Sequence, residues 1–306
     1  MDAVAATFST HRDAGTAVAD ADLATLGAES WSDVIAVHDA LVAQNSASLC
    51  GWKVGMNSDA AWGAHAKYGL TGPITGPLFS DIVIPSGGAA GPASGLVMAE
   101  AEWGFRFASA PVASGGGGAF VAADIVASLK EVVLCIEMCG TRFTNPANAS
   151  ICQKLADYAL NTAVVTGAVF PVGEGAGEVS AAALLALGER EVSIECNGAT
   201  STGTLDAVKQ LVYLANHLAS RGKAIAGGDL VISGATGVLK GGATFVAGST
   251  VTAVFPSPVG SGESVTVTCT TSEGKTEGGA GSASSANLFV VAAVGLGIAI
   301  AAYSRL

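Results

Sequence analysis

Charge is scarce in this chain, and positive charge most of all. Only 13% of its 306 residues are Asp, Glu, Lys or Arg, and 14 bases face 25 acids, for a formal net charge of -11. With no cluster of Lys and Arg, an electrostatic surface for nucleic acid or anionic lipid is excluded, because neutralising phosphates takes several bases on one face. A small anionic substrate therefore needs a local base or a metal. The six cysteines (Cys50, Cys135, Cys139, Cys152, Cys196, Cys269) form no CxxC pair and sit mostly in apolar runs. They read as reduced, buried small hydrophobes in a reducing compartment, with no structural zinc. Cys135 and Cys139 with a nearby His would make a metal site, but four apart in a β-like run they need not face one another. The N-terminal MDAVAATFSTHRDAG lacks the apolar core of a secretory signal and the Arg-rich character of a transit peptide. SGGGGA at 114–119 lacks a following GK[ST] and the GxGxxG register, so it reads as a surface insertion.

What is present is apolar: 50% of the residues are hydrophobic, enough to bury a large core in one big domain or two ordinary ones. Residues 1–45 read as a helical layer, with Leu23, Leu26, Val34, Val37, Leu41 and Val42 at helix-compatible spacing and Ser32 as the expected N-cap. Residues 46–271 turn to short β-branched runs cut by Gly and Pro, a β-rich unit that forms one body with the helical layer. Eight strands are expected there: LFSDIVIP, LVMAEAEWGFRFA, EVVLCIEMCG, AVVTGAVFPV, REVSIECNG, GDLVISGATG, STVTAVFP and ESVTVTCTT. Two helices interrupt them, near 121–128 and 205–220.

Residues 272–287 are small, polar and Gly/Ser-rich, a flexible linker by composition. Residues 288–303, LFVVAAVGLGIAIAAY, are uncharged and hydrophobic all round. As a helix they would span about 24 Å, against a hydrocarbon core of about 30 Å. Detached by the linker, with Tyr303 and Arg305 placed as interfacial anchors, this stretch is expected to anchor the chain in a membrane. Ser304-Arg305-Leu306 also resembles the S-K-L peroxisomal address with Arg for Lys, a competing reading because an inserted helix leaves a receptor no spacer.

The carboxylates carry the chemistry. In a strand Glu100 and Glu102 point the same way about 7 Å apart, and like charges so placed repel unless a cation lies between them. Glu137 sits in VVLCIEMCG, where every neighbour within four residues is uncharged. A buried carboxylate must be protonated, paired or metal-bound. Three carboxylates from two strands form a hard oxygen site suited to Mg²⁺ or Mn²⁺. Lys53 is the only base from Ala40 to Ser58. Desolvation beside a metal is expected to lower its pKa and make it a general acid/base.

In order along the chain, GWKVG (51–55), TGPLF (75–79), AEAEWGF (99–105), IEMCGTRF (136–143), ADYAL (156–160), LANHLASRG (214–222) and GGDLVISGATG (227–237) resemble the fumarylacetoacetate hydrolase superfamily. The branch they resemble is that of the 2-keto-4-pentenoate hydratases and 4-oxalocrotonate decarboxylases, over about residues 10–270. The resemblance implies an α+β fold, a mixed β-roll with an N-terminal helical layer, to which the hydrophobic tail helix is an addition. It implies metal ligation by Glu100, Glu102 and Glu137, the family lysine at Lys53, and a substrate loop at Ser233, Gly234, Ala235 and Gly237, with Asp81 also at the substrate. The implied substrate is a 2-oxo or 2-hydroxy-dienoic acid, the implied reaction hydration or decarboxylation, and the implied assembly a homo-oligomer.

Three motifs depart from the family pattern: Ser80 and Asp81 stand where two acids are usual, Gly140 replaces an acid, and Tyr158 stands where Asn is common, which puts the proton relay and substrate choice in doubt. Two functions are therefore expected to compete, an active metal-dependent lyase held at a membrane and a catalytically weakened accessory subunit of a membrane complex. Other chemistries of the superfamily need a lid His or Glu, for which His38, His65 and His217 are the histidine candidates.

Overall fold

The computed structural model describes residues 1–272, apart from 93–94, 116–117, 242–243 and 261. The linker expected beyond Ser272, the hydrophobic stretch 288–303 and the terminal Ser304-Arg305-Leu306 lie outside the described residues. Among the described residues no helix is long and apolar enough to cross a membrane.

Helices α1 (Asp2–Ala14) and α2 (Trp31–Gln44) form the N-terminal layer. The cap of α2 is Ser30 and not Ser32: the Asp33 N–H donates to the Ser30 hydroxyl at 3.3 Å and the Ser30 N–H donates back to the Asp33 carboxylate at 2.9 Å. That reciprocal pair satisfies two otherwise unpaired backbone or side-chain groups, which Ser32, already inside the first turn, cannot do. Short helices α3 (Asp59–Gly63), α4 (Ala122–Val126), α5 (Ile151–Ala156) and α6 (Ala181–Leu185) lie in connections, and the longer α7 (Ala207–Ser220) buries Val208, Leu211, Leu214, Ala215 and Leu218 along one face.

The strands are β1 (Leu49–Gly55), β2 (Ile74–Phe79), β3 (Val83–Pro85), β4 (Ala89–Pro92), β5 (Leu96–Phe107), β6 (Leu129–Gly140), β7 (Asn161–Pro171), β8 (Val192–Cys196), β9 (Ala199–Gly203), β10 (Leu230–Ile232), β11 (Gly237–Lys240), β12 (Thr250–Pro256) and β13 (Ser264–Ser272). One sheet runs β2-β1-β10-β5-β6-β7-β3, with β11 also paired to β5, and a second runs β4-β13-β12-β8-β9. LFSDIVIP, expected as one strand, is broken by a 3-10 turn at Ser80–Ile82 into β2 and β3, which lie on opposite edges of the first sheet.

A three-residue link between opposite edges forces that sheet to curl into a roll. Its concave face is filled by Leu78, Val133, Cys135, Val164, Leu230 and Ile232, drawn together from β2, β10, β6 and β7, of which only β6 and β7 are neighbours in the sheet. The convex face packs on the second sheet and α7, where Trp103 meets Phe255 edge-on at 5.2 Å. Alternation along β5 thus sends Ala99, Ala101, Trp103 and Phe105 outward into the main core and the residues between them inward.

Strand β1 pairs in parallel with β10 over Gly51–Lys53, and a Cβ on Gly51 would overlap the Leu230 carbonyl oxygen. Only glycine allows that approach, two residues before Lys53. Gly51→Ala is expected to lower stability by about 3 kcal/mol or more, read as a fall in the urea midpoint at constant m. A midpoint equal to that of the parent chain would mean that β1 and β10 do not pack this closely.

Candidate metal centre

Strands β5 and β6 set the carboxylates. Their register places Glu100 directly opposite Glu137 and Glu102 opposite Cys135. Directly opposed residues of an antiparallel pair share a face with Cβ atoms about 5 Å apart, so two like charges meet here at the least favourable spacing. Glu102 and Glu137 are wholly buried and Glu100 is half-buried.

Lys53 reaches the cluster from β1, three strands from β6 in the sheet order. Along a flat sheet that separation is about 14 Å, beyond a lysine, and only the curl of the roll brings them together. Lys53 Nζ donates to both Glu137 oxygens, at 2.6 and 2.8 Å, and to the Ala159 carbonyl at 3.1 Å. Gly76 leaves room for the lysine stem: a Cβ there would lie 2.6 Å from Ala159 Cβ and 3.3 Å from Lys53 Cγ. Burial alone would push the ammonium pKa down, but the adjoining Glu137 carboxylate holds it well above its ordinary value. The direction is opposite to the lowering expected from the sequence, because the partner carboxylate outweighs desolvation.

Glu137 Oε1 also accepts from Asn161 Nδ2 at 2.6 Å. Asn161 follows a stretch in which Tyr158, Ala159 and Leu160 all have positive φ (52°, 52° and 69°). Left-handed backbone costs non-glycine residues about 1–2 kcal/mol each, so this turn is held by its surroundings. Tyr158 is buried, edge-on to Phe79 at 5.6 Å, with the Arg12 guanidinium 4.5 Å from its ring centre and that of Arg142 at 4.9 Å. Arg142 is in turn ion-paired with the buried Asp157. The turn aims the Ala159 carbonyl at Lys53 and delivers Asn161 to Glu137.

Glu102 Oε2 accepts from the Gly234 N–H at 2.7 Å, while Oε1 is buried without a hydrogen-bond partner. The Ser233–Gly237 loop lies over β5: Ser233 N–H donates to the Trp103 carbonyl, Thr236 N–H to the Ala101 carbonyl, and Gly237 opposes Ala101. At Gly234, φ is 95° and a Cβ would overlap the Asn57 amide, which donates to the Ser233 carbonyl at 3.0 Å. Ala235 follows in the same loop.

The structure therefore gathers Lys53, Glu100, Glu102, Glu137 and the Ser233–Gly237 loop at one end of the roll. Asp81 is exposed on the turn after β2 and ion-paired with Arg12, touching the site only through Arg12 and Tyr158. His38 donates to the Leu155 carbonyl in the helical layer, with burial lowering its pKa to about 4, and His217 stacks on Tyr213 of α7. Neither hydrogen-bonds to the carboxylates, nor does His65. A Cβ on Gly140 would come 2.6 Å from both the Gly95 carbonyl and Thr162 Oγ1, so the close backbone leaves no space for an acid there. A cavity of about 260 Å³ lined by Cys50, Ser80, Val83, Arg106 and Leu230 opens near the other end of β5.

Sequence reasoning missed Asn161, the Ala159 carbonyl and Asn57, and weighed Cys139 only as a partner of Cys135 and a His. One oxygen each of Glu100 and Glu137 and the Cys139 Sγ lie within 4.8 Å of one another, whereas Glu102 sits beside Glu100 but outside that trio. The spacing Glu137-x-Cys139 on one strand could have signalled the thiol; the three others carry no signal in the sequence.

The chain has the fold of the fumarylacetoacetate hydrolase superfamily. Among solved structures it is similar to 4-oxalocrotonate decarboxylase from Pseudomonas putida G7 complexed with magnesium and adipate, at 21% identity and TM-score 0.67 over 88% of this chain and 96% of that one. The same decarboxylase with calcium and acetate gives 20% identity and TM-score 0.66 over the same shares. A yeast fumarylacetoacetate hydrolase family protein gives 13% identity and TM-score 0.52 over 76% of this chain and 96% of that one. No family model matches the sequence, and no curated protein matches it.

The residues fit a divalent cation. Three carboxylates share one ammonium, so a charge of +2 would bring the cluster to neutrality, and the orphaned Glu102 oxygen marks an unmet demand for a cation or proton. Burial first, and the Glu137 charge second, push Glu100 up to about 7 and Glu102 well above the ordinary 4.5. In metal-free protein these two carboxyls hold protons that the unfolded chain releases above about pH 4.5. Their stabilising contribution is thus complete below that pH; that of Glu100 is lost as pH rises through about 7, and that of Glu102 also falls as pH rises above the ordinary carboxylate range. The thermal midpoint of chelator-treated protein is expected to fall between pH 5 and 8 and to recover on adding a divalent cation, with the fall reduced in Glu102→Gln. A midpoint that rises across this range, or ignores added cation, would contradict the site.

Proposed function

We propose that the chain is a divalent-metal-dependent lyase, a hydratase or decarboxylase, acting on a 2-oxo or 2-hydroxy-dienoic acid. The observation that carries this reading is the opposition of Glu100 and Glu137 on the inner face of the roll, with Glu102 alongside and a single buried lysine to offset them. Similarity in fold to a decarboxylase complexed with magnesium supports both the cation and the substrate class. Glu100, Glu102 and Glu137 would hold Mg²⁺ or Mn²⁺, which supplies positive charge where negative charge develops on the 2-oxygen side of the substrate.

The chain's own residues manage the protons. With three acceptors around Nζ, Lys53 is an ammonium, so it serves as a fixed positive charge and proton donor until Glu137 releases it. Asn161 fixes the orientation of Glu137, and its own Oδ1 is buried without a partner, available to a substrate hydroxyl or water. The Gly234 N–H holds Glu102 by one oxygen and leaves the other free. No relay through position 140 is available, and Tyr158 supports the turn from the helical layer.

A second reading, a catalytically weakened subunit of a membrane complex, is favoured by the uncharged stretch 288–303. Membrane attachment, the alternative peroxisomal address at 304–306 and assembly as a homo-oligomer are part of the proposal on sequence grounds. The full-length chain is expected to float with liposomes and the chain ending at Ser272 to stay behind; equal behaviour of the two would remove the anchor.

Full-length protein with Mg²⁺ or Mn²⁺ is expected to consume the dienol absorbance of 2-hydroxypenta-2,4-dienoate and to stop on chelation. Lys53→Met, checked for folding by circular dichroism, should lose on the order of 10²–10⁴-fold in kcat. Metal binding without turnover by the parent chain would reject the lyase in favour of the second reading.

A further inference from the structure

The metal-centre reading leaves one donor unused. Cys139 lies two residues beyond Glu137 on β6, so both side chains fall on the inner face of the roll. Its thiol is buried beside the Glu100 carboxylate. The Sγ, a Glu100 oxygen and a Glu137 oxygen lie within 4.8 Å of one another. An ion with bonds of about 2.3 Å to sulfur and about 2.0–2.2 Å to oxygen spans nearly this distance, so small movements of the side chains close the shell. The unpartnered, fully buried Glu102 oxygen next to Glu100 is an independent sign that a cation or proton is called for here.

Cys135, the other cysteine on this face, is turned away: its Sγ contacts the Val133 carbonyl at 3.6 Å and crowds the backbone of Gly104. Only one of the two thiols is therefore placed to bind.

We propose that Cys139 is a ligand of the metal centre together with Glu100 and Glu137, and that the thiolate gives this chain a preference for Zn²⁺, Co²⁺ or Fe²⁺ over Mg²⁺. The inference rests on the reading of this cluster as a metal site. On binding, the S–H bond breaks, the sulfur electron pair forms the metal–sulfur bond, and the proton passes by way of the Glu100 carboxylate to solvent, with no change of oxidation state. Carboxylate oxygens alone accept Mg²⁺ readily, whereas a thiolate shifts the balance toward softer cations.

The test uses the full-length chain stripped of metal with a chelator and titrated with Co²⁺, reading the near-ultraviolet thiolate-to-cobalt charge-transfer band and bound metal together. The band is expected in the parent chain and in Cys135→Ala, and is expected to vanish in Cys139→Ser while Co²⁺ still binds. In competition with Mg²⁺, Cys139→Ser should lose on the order of 100-fold in Zn²⁺ affinity with Mg²⁺ affinity nearly unchanged. Co²⁺ bound without the band, or Zn²⁺ held equally by parent and Cys139→Ser, overturns thiolate ligation and leaves the carboxylate site standing. Failure of the parent chain to bind any divalent cation overturns the site itself. Retention of the band in Cys135→Ala keeps the assignment testable even if Cys139→Ser does not fold.

Discussion

Three carboxylates, two of them wholly buried, around one ammonium are the constraint to which the rest of the molecule answers. An unpaired buried charge costs several kcal/mol, and the Lys53–Glu137 pair offsets only one of the three. Everything else near the cluster lowers that cost. Asn161 supports Glu137, the Gly234 N–H supports Glu102, and the Ala159 carbonyl takes the third proton of Lys53. What these partners do not meet is left for protons or a cation.

Support of this kind is built from unfavourable backbone. Three successive left-handed residues, a glycine pressed against a carbonyl in β1 and a glycine against Asn57 in the β10–β11 loop are each costly or intolerant of substitution. Large apolar contacts hold them in place, notably the packing of Tyr158 under Phe79 and two arginines. Tyr158 and Gly140 are two of the departures from the family pattern. Both are tightly packed: the tyrosine wedges the turn, and the glycine admits the Gly95 carbonyl.

The sequence disclosed those parts of the site that depend on short-range periodicity. Alternation in AEAEWGF put Glu100 and Glu102 on one face, and the uncharged surroundings of Glu137 implied burial. The roll was less legible, since the break of LFSDIVIP at Ser80–Ile82 depends on where two distant edges meet and not on composition. Asn161 and the Ala159 carbonyl were invisible because they act through a backbone conformation that no propensity favours. Lys53 was found, but its protonation was misjudged: a sequence shows that a lysine is isolated, and only the curl of the sheet shows which charge it meets.

The parallel pairing of β1 with β10 joins Gly51–Lys53 to Leu230–Ile232. During synthesis, β1 can pair early with β2 but must wait for most of the chain before β10 exists, and pairings so distant in sequence form slowly. Lys53 therefore reaches Glu137 as a late event, after β5 and β6, which are close in sequence, have already set their carboxylates face to face. Until then the acidic strands have no internal counter-charge. The order of assembly leaves a nascent half-roll that repels itself at its centre, and the arrival of β1 and β10 is what turns that repulsion into a site.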